Sequence, residues 1–436
     1  MIVIHNAEVV FPGEETPLLG YVAVDGLLIC ATGRGEAPAP LLDAASEVVD
    51  AGGATLMPGA IDCHVHFREP GLTHKATMAS ESRAAAAGGV TSWIDMPNTI
   101  PPTTTLEAWE EKNRIAAASA VGNYAFFVGA DGRNLDILRA LPFDRVPGVK
   151  LFMGQSTGNM AVQGKGAVEA VFAEIDAPIV VHAEDDTVIA ANLQRLKACY
   201  GAELPVRLHA ELRSAEACVR ASERAMELAA RYGSRLHLAH ISTVDECSML
   251  DAGPVSGKRI TAEVSPHHLW WCSADYDAHG ARIKMNPAVK GPEHRECLRS
   301  ALADGRLDIV ATDHAPHLLA DKAGDLLHAA SGSPMVQFSM PAMLTIYNDP
   351  VFVARKVAQA PAELFGICGR GVIAEGNYAD LVLVERCDWQ PHDSDVLSLC
   401  GWTPMAGEHL GWRVRRTWIN GSAPDVPGQP LTFCRQ

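Results

Sequence analysis

The 436-residue sequence predicts an α/β protein: a closed barrel of eight parallel β/α units, with an accessory β-rich domain contributed by both ends of the chain. Three observations predict it. From Leu56 onward, β-prone runs alternate with Ala-rich or amphipathic helical runs, the pattern of a parallel sheet covered by helices. Strand ends fall near His64, Asp95, Gly129, Phe152, His182, His240, Ser265 and Asp313; eight units close a barrel whose chemistry sits at the C-terminal strand ends. The first 50 or so residues and the stretch after about Gly366 are instead β-rich, and chain ends commonly lie close together.

Taken in order, Ile2 to Ile4 and Tyr21 to Val24 are short β-prone pieces broken by Gly and Pro. The run Ile61-Asp62-Cys63-His64-Val65-His66-Phe67-Arg68-Glu69-Pro70-Gly71 reads as a buried strand ending in polar side chains. Alternation predicts His64, His66 and Arg68 on one face and Cys63, Val65 and Phe67 on the other. Two imidazoles at this spacing can grip one divalent cation, and Arg68 adds a planar fork suited to a carboxylate. A turn after a core strand, its histidines bonded to the backbone, explains the same run; the rest of the chain decides. A helix is expected over Lys75 to Ala87, stopped by Gly88-Gly89, and another over Arg207 to Tyr232, stopped by Gly233. A third, within Pro292 to Ala303, starts at a proline and stops near Gly305. Pro97 to Pro102 reads as a βα loop. At the far end, Ala379 to Val384 and Trp412 to Ile419 are strands again.

Five of the predicted strand ends carry potential metal ligands: His64 and His66, then Lys150, His182, His240 and Asp313. In Leu236-His237-Leu238-Ala239-His240, alternation puts His240 on the face of Leu236 and Leu238, with His237 opposite. Asp313 shares a face with Ile309 and Ala311, side chains that barrel interiors accept. Chance supplies one or two such histidines among 17, not a set around one rim. Lys150 is awkward, because a buried ammonium beside metal ions is costly. Carbamylation by carbon dioxide would make it an anionic carboxylate able to bridge two cations. The alternative is a lysine that snorkels from a strand end, and the surrounding histidines weigh against it.

Composition narrows the class. A hydrophobic fraction of 48% with 20% charged residues excludes a disordered chain. A formal charge of -16 argues against a general nucleic-acid binder, and means that an anionic ligand must be captured by local cations. Eleven cysteines without a Cys-x-x-Cys pair predict reduced thiols in a cytoplasmic setting. Met1 to Asn6 lacks the basic and apolar regions of a signal peptide, and no apolar run is long enough to span a bilayer. The segment Gly158 to Lys165 fails as a phosphate loop, since five residues separate Gly158 from Gly164 and Gly166 replaces Ser or Thr.

His64-Val65-His66-Phe67-Arg68-Glu69-Pro70-Gly71, Asp95-Met96-Pro97-Asn98-Thr99, Gly148-Val149-Lys150, Val181-His182-Ala183-Glu184, Leu238-Ala239-His240-Ile241-Ser242 and Thr312-Asp313-His314-Ala315-Pro316-His317 together resemble the amidohydrolase superfamily and, within it, the dihydroorotase family. The resemblance implies a distorted TIM-like barrel over residues 55–366, with a small β-sandwich from residues 1–54 and 367–436. It implies two zinc ions bridged by N6-carboxylated Lys150, one held by His64, His66 and Asp313, the other by His182 and His240. Asp313 would shuttle the proton. Arg68, Asn98 and His317 would hold the carboxylate of dihydroorotate, and Asn286 would add a further substrate contact. Relatives often carry Pro-Leu-Arg where this chain has Ala288-Val289-Lys290, and lysine cannot reproduce an arginine fork.

By the same resemblance, the chain would act in de novo pyrimidine (UMP) biosynthesis as a homodimer, in some relatives with aspartate transcarbamoylase. Dihydropyrimidinases, hydantoinases and allantoinases would use the same metals on rings that need no carboxylate, so Arg68 with Asn98 favours dihydroorotate. A metal-free structural partner of aspartate transcarbamoylase could lose ligands, whereas this chain keeps all six. Pro266-His267-His268 is expected to pack or support rather than ligate. His74, His294, His328, His392 and His409 read as surface or loop residues. The segment His317 to Gln337 is expected at the active-site rim, with His317 leaning over the metals, backbone groups of Ala330 to Val336 facing the ring, and the stretch between mobile without ligand and ordered with it.

Overall fold

The computed structural model describes residues 1–154, 160, 162 and 166–434, and the Gly158 to Lys165 stretch lies largely outside them. The described strands are β1 (Ile2–Val9), β2 (Leu18–Asp25), β3 (Leu28–Arg34), β4 (Glu47–Asp50) and β5 (Thr55–Pro58), followed by β6 (Ala60–Val65), β7 (Val90–Asp95), β8 (Asn123–Phe126), β9 (Val128–Gly129) and β10 (Val149–Phe152). After them come β11 (Ile179–His182), β12 (Leu236–Leu238), β13 (Ile260–Val264), β14 (Ile309–Val310), β15 (Leu381–Trp389) and β16 (Leu410–Trp418).

From β6 to β14 every pairing is parallel, in the orders β6-β7-β8 and β9 to β14. Phe127 alone separates β8 from β9, so one broken strand hands the ladder from the first sheet to the second. The ring closes where Val65 bridges His314 and the His66 N–H donates to the His314 carbonyl at 2.8 Å. Counting β8 and β9 as one stave gives the eight-stranded barrel.

Helices follow the strands and cover the outside. The helix Met78–Ala87 begins with a reciprocal cap, Thr77 with Ser80, and ends at Gly88. The expected helix from Arg207 to Tyr232 is broken: Val206–Leu208 and His209–Leu212 form short turns, and the long helix is Ala215–Tyr232. Its stop, Gly233, has φ 69°, a left-handed conformation that a side chain would strain. Apolar residues between strands and helices, among them Trp93, Leu151, Val181, Leu238 and Leu228, form the main core. Ile61, Ile94, Phe127, Val180 and Ile309 form a second cluster with Phe365, Leu431 and Phe433.

The terminal strands form one described seven-stranded sheet, in the order β16-β15-β5-β1-β2-β3 with β4 on β1. β5 is its joint, parallel to β1 and antiparallel to β15. The sheet therefore takes in Thr55–Pro58, beyond the boundary expected after residue 54. Gly59 makes the step into the barrel, where a Cβ would lie 2.2 Å from Thr91 Cγ2. No helix among the described residues is long and apolar enough to cross a membrane.

The last described residues run back under the barrel. Leu431 and Phe433 donate to the carbonyls of Tyr124 and Asp144 at 2.8 and 2.9 Å. This course brings Cys434 to Cys368, with which it forms a disulfide across 66 residues, correcting the expectation that all eleven cysteines are reduced. Sequence spacing carries no trace of that meeting, because the tail's path creates it.

Candidate active site

The C-terminal end of the barrel gathers the polar strand ends into one cavity. His64, His66, Lys150, His182, His240 and Asp313 line it, together with Arg68, Asn98 and Asn286. Ligand atoms of His64, His66 and Asp313 lie within 4.8 Å of one another, a group able to hold a metal ion.

How each residue reaches the cavity follows from the strands. Val149 and Leu151 pack outward in the main core, so Lys150 between them points in; Val180 likewise belongs to the inner cluster, and His182 follows it by two. His240 departs from its expected course. Leu236 and Leu238 face the helices, while His237 faces inward beside Glu263. Simple alternation would therefore aim His240 out of the barrel. A left-handed backbone, φ 37°, turns it in. Arg68 (φ 66°) and Asp313 (φ 49°) use the same device. β6 ends at Val65, so Arg68 arrives through a turn rather than along a strand face, and Cys63 joins the inner cluster. Such conformations cost about 1–3 kcal/mol at residues other than glycine and collect at functional sites.

The donor set indicates what the cluster holds. His66 donates from Nδ1 to Asn98 Oδ1 at 2.7 Å, and His64 bonds through Nδ1 to Glu263. Both Nε2 atoms then carry lone pairs, yet they stand 3.0 and 3.4 Å from the same oxygen of Asp313. Three converging acceptors with no proton between them fit a cation. Burial pushes His66 down to about 4, which keeps it neutral near pH 7.

A second group lies beside the first. His182 Nδ1 and His240 Nε2 are 2.9 Å apart. Among the described residues, Lys150 Nζ, His240 Nδ1 and Asn286 Oδ1 are buried without a hydrogen bond, and His182 Nε2 has Glu184 Oε2 at 3.3 Å. Orphaned buried polar atoms are rare, and here they face one cavity. Burial also pulls Lys150 down to about 8, against the attraction of Glu263 and Asp313.

Arg68 is buried but stays cationic at neutral pH, burial lowering it only to about 10. Its Nε donates to the Pro316 carbonyl at 3.1 Å, and its Nη2 lies 3.2 Å from His317 Nε2. His317 thus stands beside Arg68, next to the residues that line the cavity. Ser331 and Gly332 supply part of the wall. Within the expected rim, Lys322 donates to the carbonyls of Lys284, Ala330 and Gly332 at 3.1, 2.7 and 2.6 Å.

Lys290 does not line the cavity. Its ammonium bonds Ser242 Oγ at 2.9 Å and the Ala288 carbonyl at 3.2 Å beneath the loop after His240. His268 is held by Ser265 and the Pro287 carbonyl, and His267 packs against Trp271. His74, His328, His392 and His409 are exposed and His294 is half-buried. Sequence reasoning misses Glu263 altogether. Its carboxylate takes His64 Nδ1, His237 Nε2 at 3.1 Å and the His240 N–H at 3.2 Å. A carboxylate in the middle of an apolar strand, Ile260-Thr261-Ala262-Glu263-Val264, is the signal that could have found it.

Comparison with known proteins adds three findings. The model of the family described as "Amidohydrolase family" matches residues 55–423. The chain is 39% identical over 377 residues to a dihydroorotase from Halobacterium salinarum, covering 84% of this chain and 85% of that one, and 30% identical over 438 residues to an allantoinase from Streptomyces avermitilis, covering 98% and 96%. Among solved structures, the L-hydantoinase (dihydropyrimidinase) from Arthrobacter aurescens superposes with a TM-score of 0.89 at 26% identity, over 99% of each chain.

Proposed function

The chain belongs to the amidohydrolase family, and from that premise we propose that it is a dihydroorotase, catalysing reversible hydrolysis of the cyclic amide of (S)-dihydroorotate to N-carbamoyl-L-aspartate. One observation carries the choice of substrate: a buried guanidinium, Arg68, shares the cavity wall with Asn98 and the His64, His66 and Asp313 cluster. A ring without a carboxylate would leave that guanidinium with no anionic group of the substrate to hold.

The same reading assigns two zinc ions bridged by N6-carboxylated Lys150, with His64, His66 and Asp313 on one and His182 and His240 on the other. Bound there, the ions would supply Lewis acidity, able to lower the pKa of water from about 15.7 towards 7 and to polarise a carbonyl. Asp313 takes the proton of the attacking water and delivers it to the ring nitrogen as the C–N bond breaks. In ring closure it runs in reverse, accepting the proton of the ureido nitrogen. Arg68, Asn98 and His317 hold the carboxylate, and Asn286 holds the ring, so that the reacting carbonyl is fixed before chemistry begins. A cytoplasmic homodimer serving pyrimidine synthesis, with or without an aspartate transcarbamoylase partner, belongs to this proposal.

A second reading, hydrolysis of a hydantoin-like ring or of allantoin, is favoured by the L-hydantoinase fold likeness and the allantoinase relative. Metal content and turnover measured together decide. Two zinc ions per chain and turnover of dihydroorotate above hydantoin and allantoin are expected. Preference for a carboxylate-free ring overturns the substrate, and a metal-free, inactive protein overturns the enzyme.

A further inference from the structure

His317 is a buried imidazole between two cations. Its Nε2 lies 3.2 Å from Arg68 Nη2, and its Nδ1 lies 3.1 Å from Lys75 Nζ. Guanidinium and ammonium nitrogens only donate, whereas a neutral imidazole has one accepting nitrogen and one N–H. Both contacts therefore cannot be hydrogen bonds at once, and an imidazolium would accept neither. One of the two pairs sets donor against donor.

Two further groups meet the imidazole, the Asp321 carboxylate 3.9 Å from Nδ1 and the Ser331 backbone, and the choice between the two cations rests on how each is held. Arg68 is fastened through Nε to the Pro316 carbonyl, and its guanidinium lines the cavity. Lys75 sits outside that wall, partly exposed, with Asp321 at 3.5 Å as its counter-ion, and its freely rotating ammonium can always turn one N–H to Nδ1. With Nδ1 accepting from Lys75, the His317 proton lies on Nε2, beside the Arg68 N–H. Two adjacent donors repel until an anion accepts from both.

We propose that Lys75 is a positioning residue that fixes His317 in its Nε2–H form, so that His317 and Arg68 present a paired set of N–H donors to the substrate carboxylate. This rests on the dihydroorotase reading. Under the opposite tautomer, Arg68 would donate to Nε2, His317 would offer nothing to a carboxylate, and Lys75 would be dispensable.

The test compares Lys75→Met, which cannot donate, with Lys75→Gln, whose neutral amide can, each alone and combined with His317→Ala. Lys75→Met is expected to raise KM for dihydroorotate about tenfold, the size of one lost hydrogen bond, with kcat within about twofold. Lys75→Gln should recover most of that loss, which a purely electrostatic role would not allow. In the His317→Ala background, Lys75→Met should change KM no further. An unchanged KM in Lys75→Met, a Lys75→Gln as weak as Lys75→Met, or full additivity with His317→Ala would each overturn the proposal. If the wild-type protein does not turn over dihydroorotate, the substrate reading fails first, and that failure is seen before any variant is made.

Discussion

Glu263 accepts a hydrogen bond from Nδ1 of His64, and that contact leaves the other ring nitrogen unprotonated, turned toward Asp313. The same carboxylate oxygen takes the backbone N–H of His240 at 3.2 Å, so one atom steadies a residue from each ligand group. Partners of this kind typically account for about 10–100-fold in metal affinity. Glu263→Gln keeps the shape of the side chain but offers a weaker acceptor on one side and an N–H on the other. Metal retention against a competing chelator should fall by about that factor. An unchanged chelator titration would show that Glu263 is a packing residue.

Lys150 offers a sharper test. Its nitrogen is buried beside histidines and Asp313 without a hydrogen-bond partner among the described residues, where an ammonium would be a liability and a carboxylated amine a bridge. Lys150→Ala should lose nearly all turnover and most of its metal by elemental analysis. Added short-chain carboxylates should restore part of both by entering the space the side chain leaves. Normal activity and metal content in Lys150→Ala would remove the bridging role.

Arg68→Met separates substrate capture from metal binding. The guanidinium is buried beside the cluster but contacts none of its ligands by a hydrogen bond among the described residues; its partners are Pro316 and His317. Breaking a desolvated charge pair costs about 2–5 kcal/mol, so KM for dihydroorotate should rise by orders of magnitude at unchanged metal content. Arg68→Lys should recover only part of the loss, since a point charge cannot form the planar fork. Wild-type kinetics in Arg68→Met would withdraw the main ground for preferring a carboxylate-bearing ring.

How far the sequence reaches can be judged residue by residue. The barrel, its helix stops at Gly233 and Gly305, and the gathering of His64, His66, Lys150, His182, His240 and Asp313 are legible because strand ends and glycine punctuation are local signals. The route taken by His240 is not. Period-two counting places it with Leu236 and Leu238, and only the left-handed turn at its own backbone, which the local sequence does not fix, brings it inside. Glu263 escapes for a different reason: its partners come from β6 and β12, and pairing register is a property of the sheet, not of the segment. The meeting of Cys368 and Cys434 likewise depends on where the tail runs.

The last prediction concerns the wall formed by Ser331 and Gly332. The cavity they help to line is small, about 30 Å³, and a six-membered ring is expected to enter as part of the wall moves. That wall hangs on Lys322, whose buried ammonium serves three carbonyls in place of a carboxylate, with two of the three, Ala330 and Gly332, flanking Ser331. Burial drives this ammonium well below its ordinary pKa, and the neighbouring cations Lys284 and Arg68 push the same way. In Lys322→Met the carbonyls lose their donor, at about 1–3 kcal/mol for each that finds no water. The cost should be felt locally, because the segment lies at the mouth and meets the barrel strands at its end, where Ser333 bridges His314. Hydrogen exchange is therefore expected to quicken between Leu318 and Ser333 with little change elsewhere, and dihydroorotate should slow it again in the wild-type chain by closing the wall over the ring. Uniform loss of protection across the barrel would mean that Lys322 supports the whole fold, and no change between Leu318 and Ser333 would mean that the staple is unnecessary and the wall is held from elsewhere.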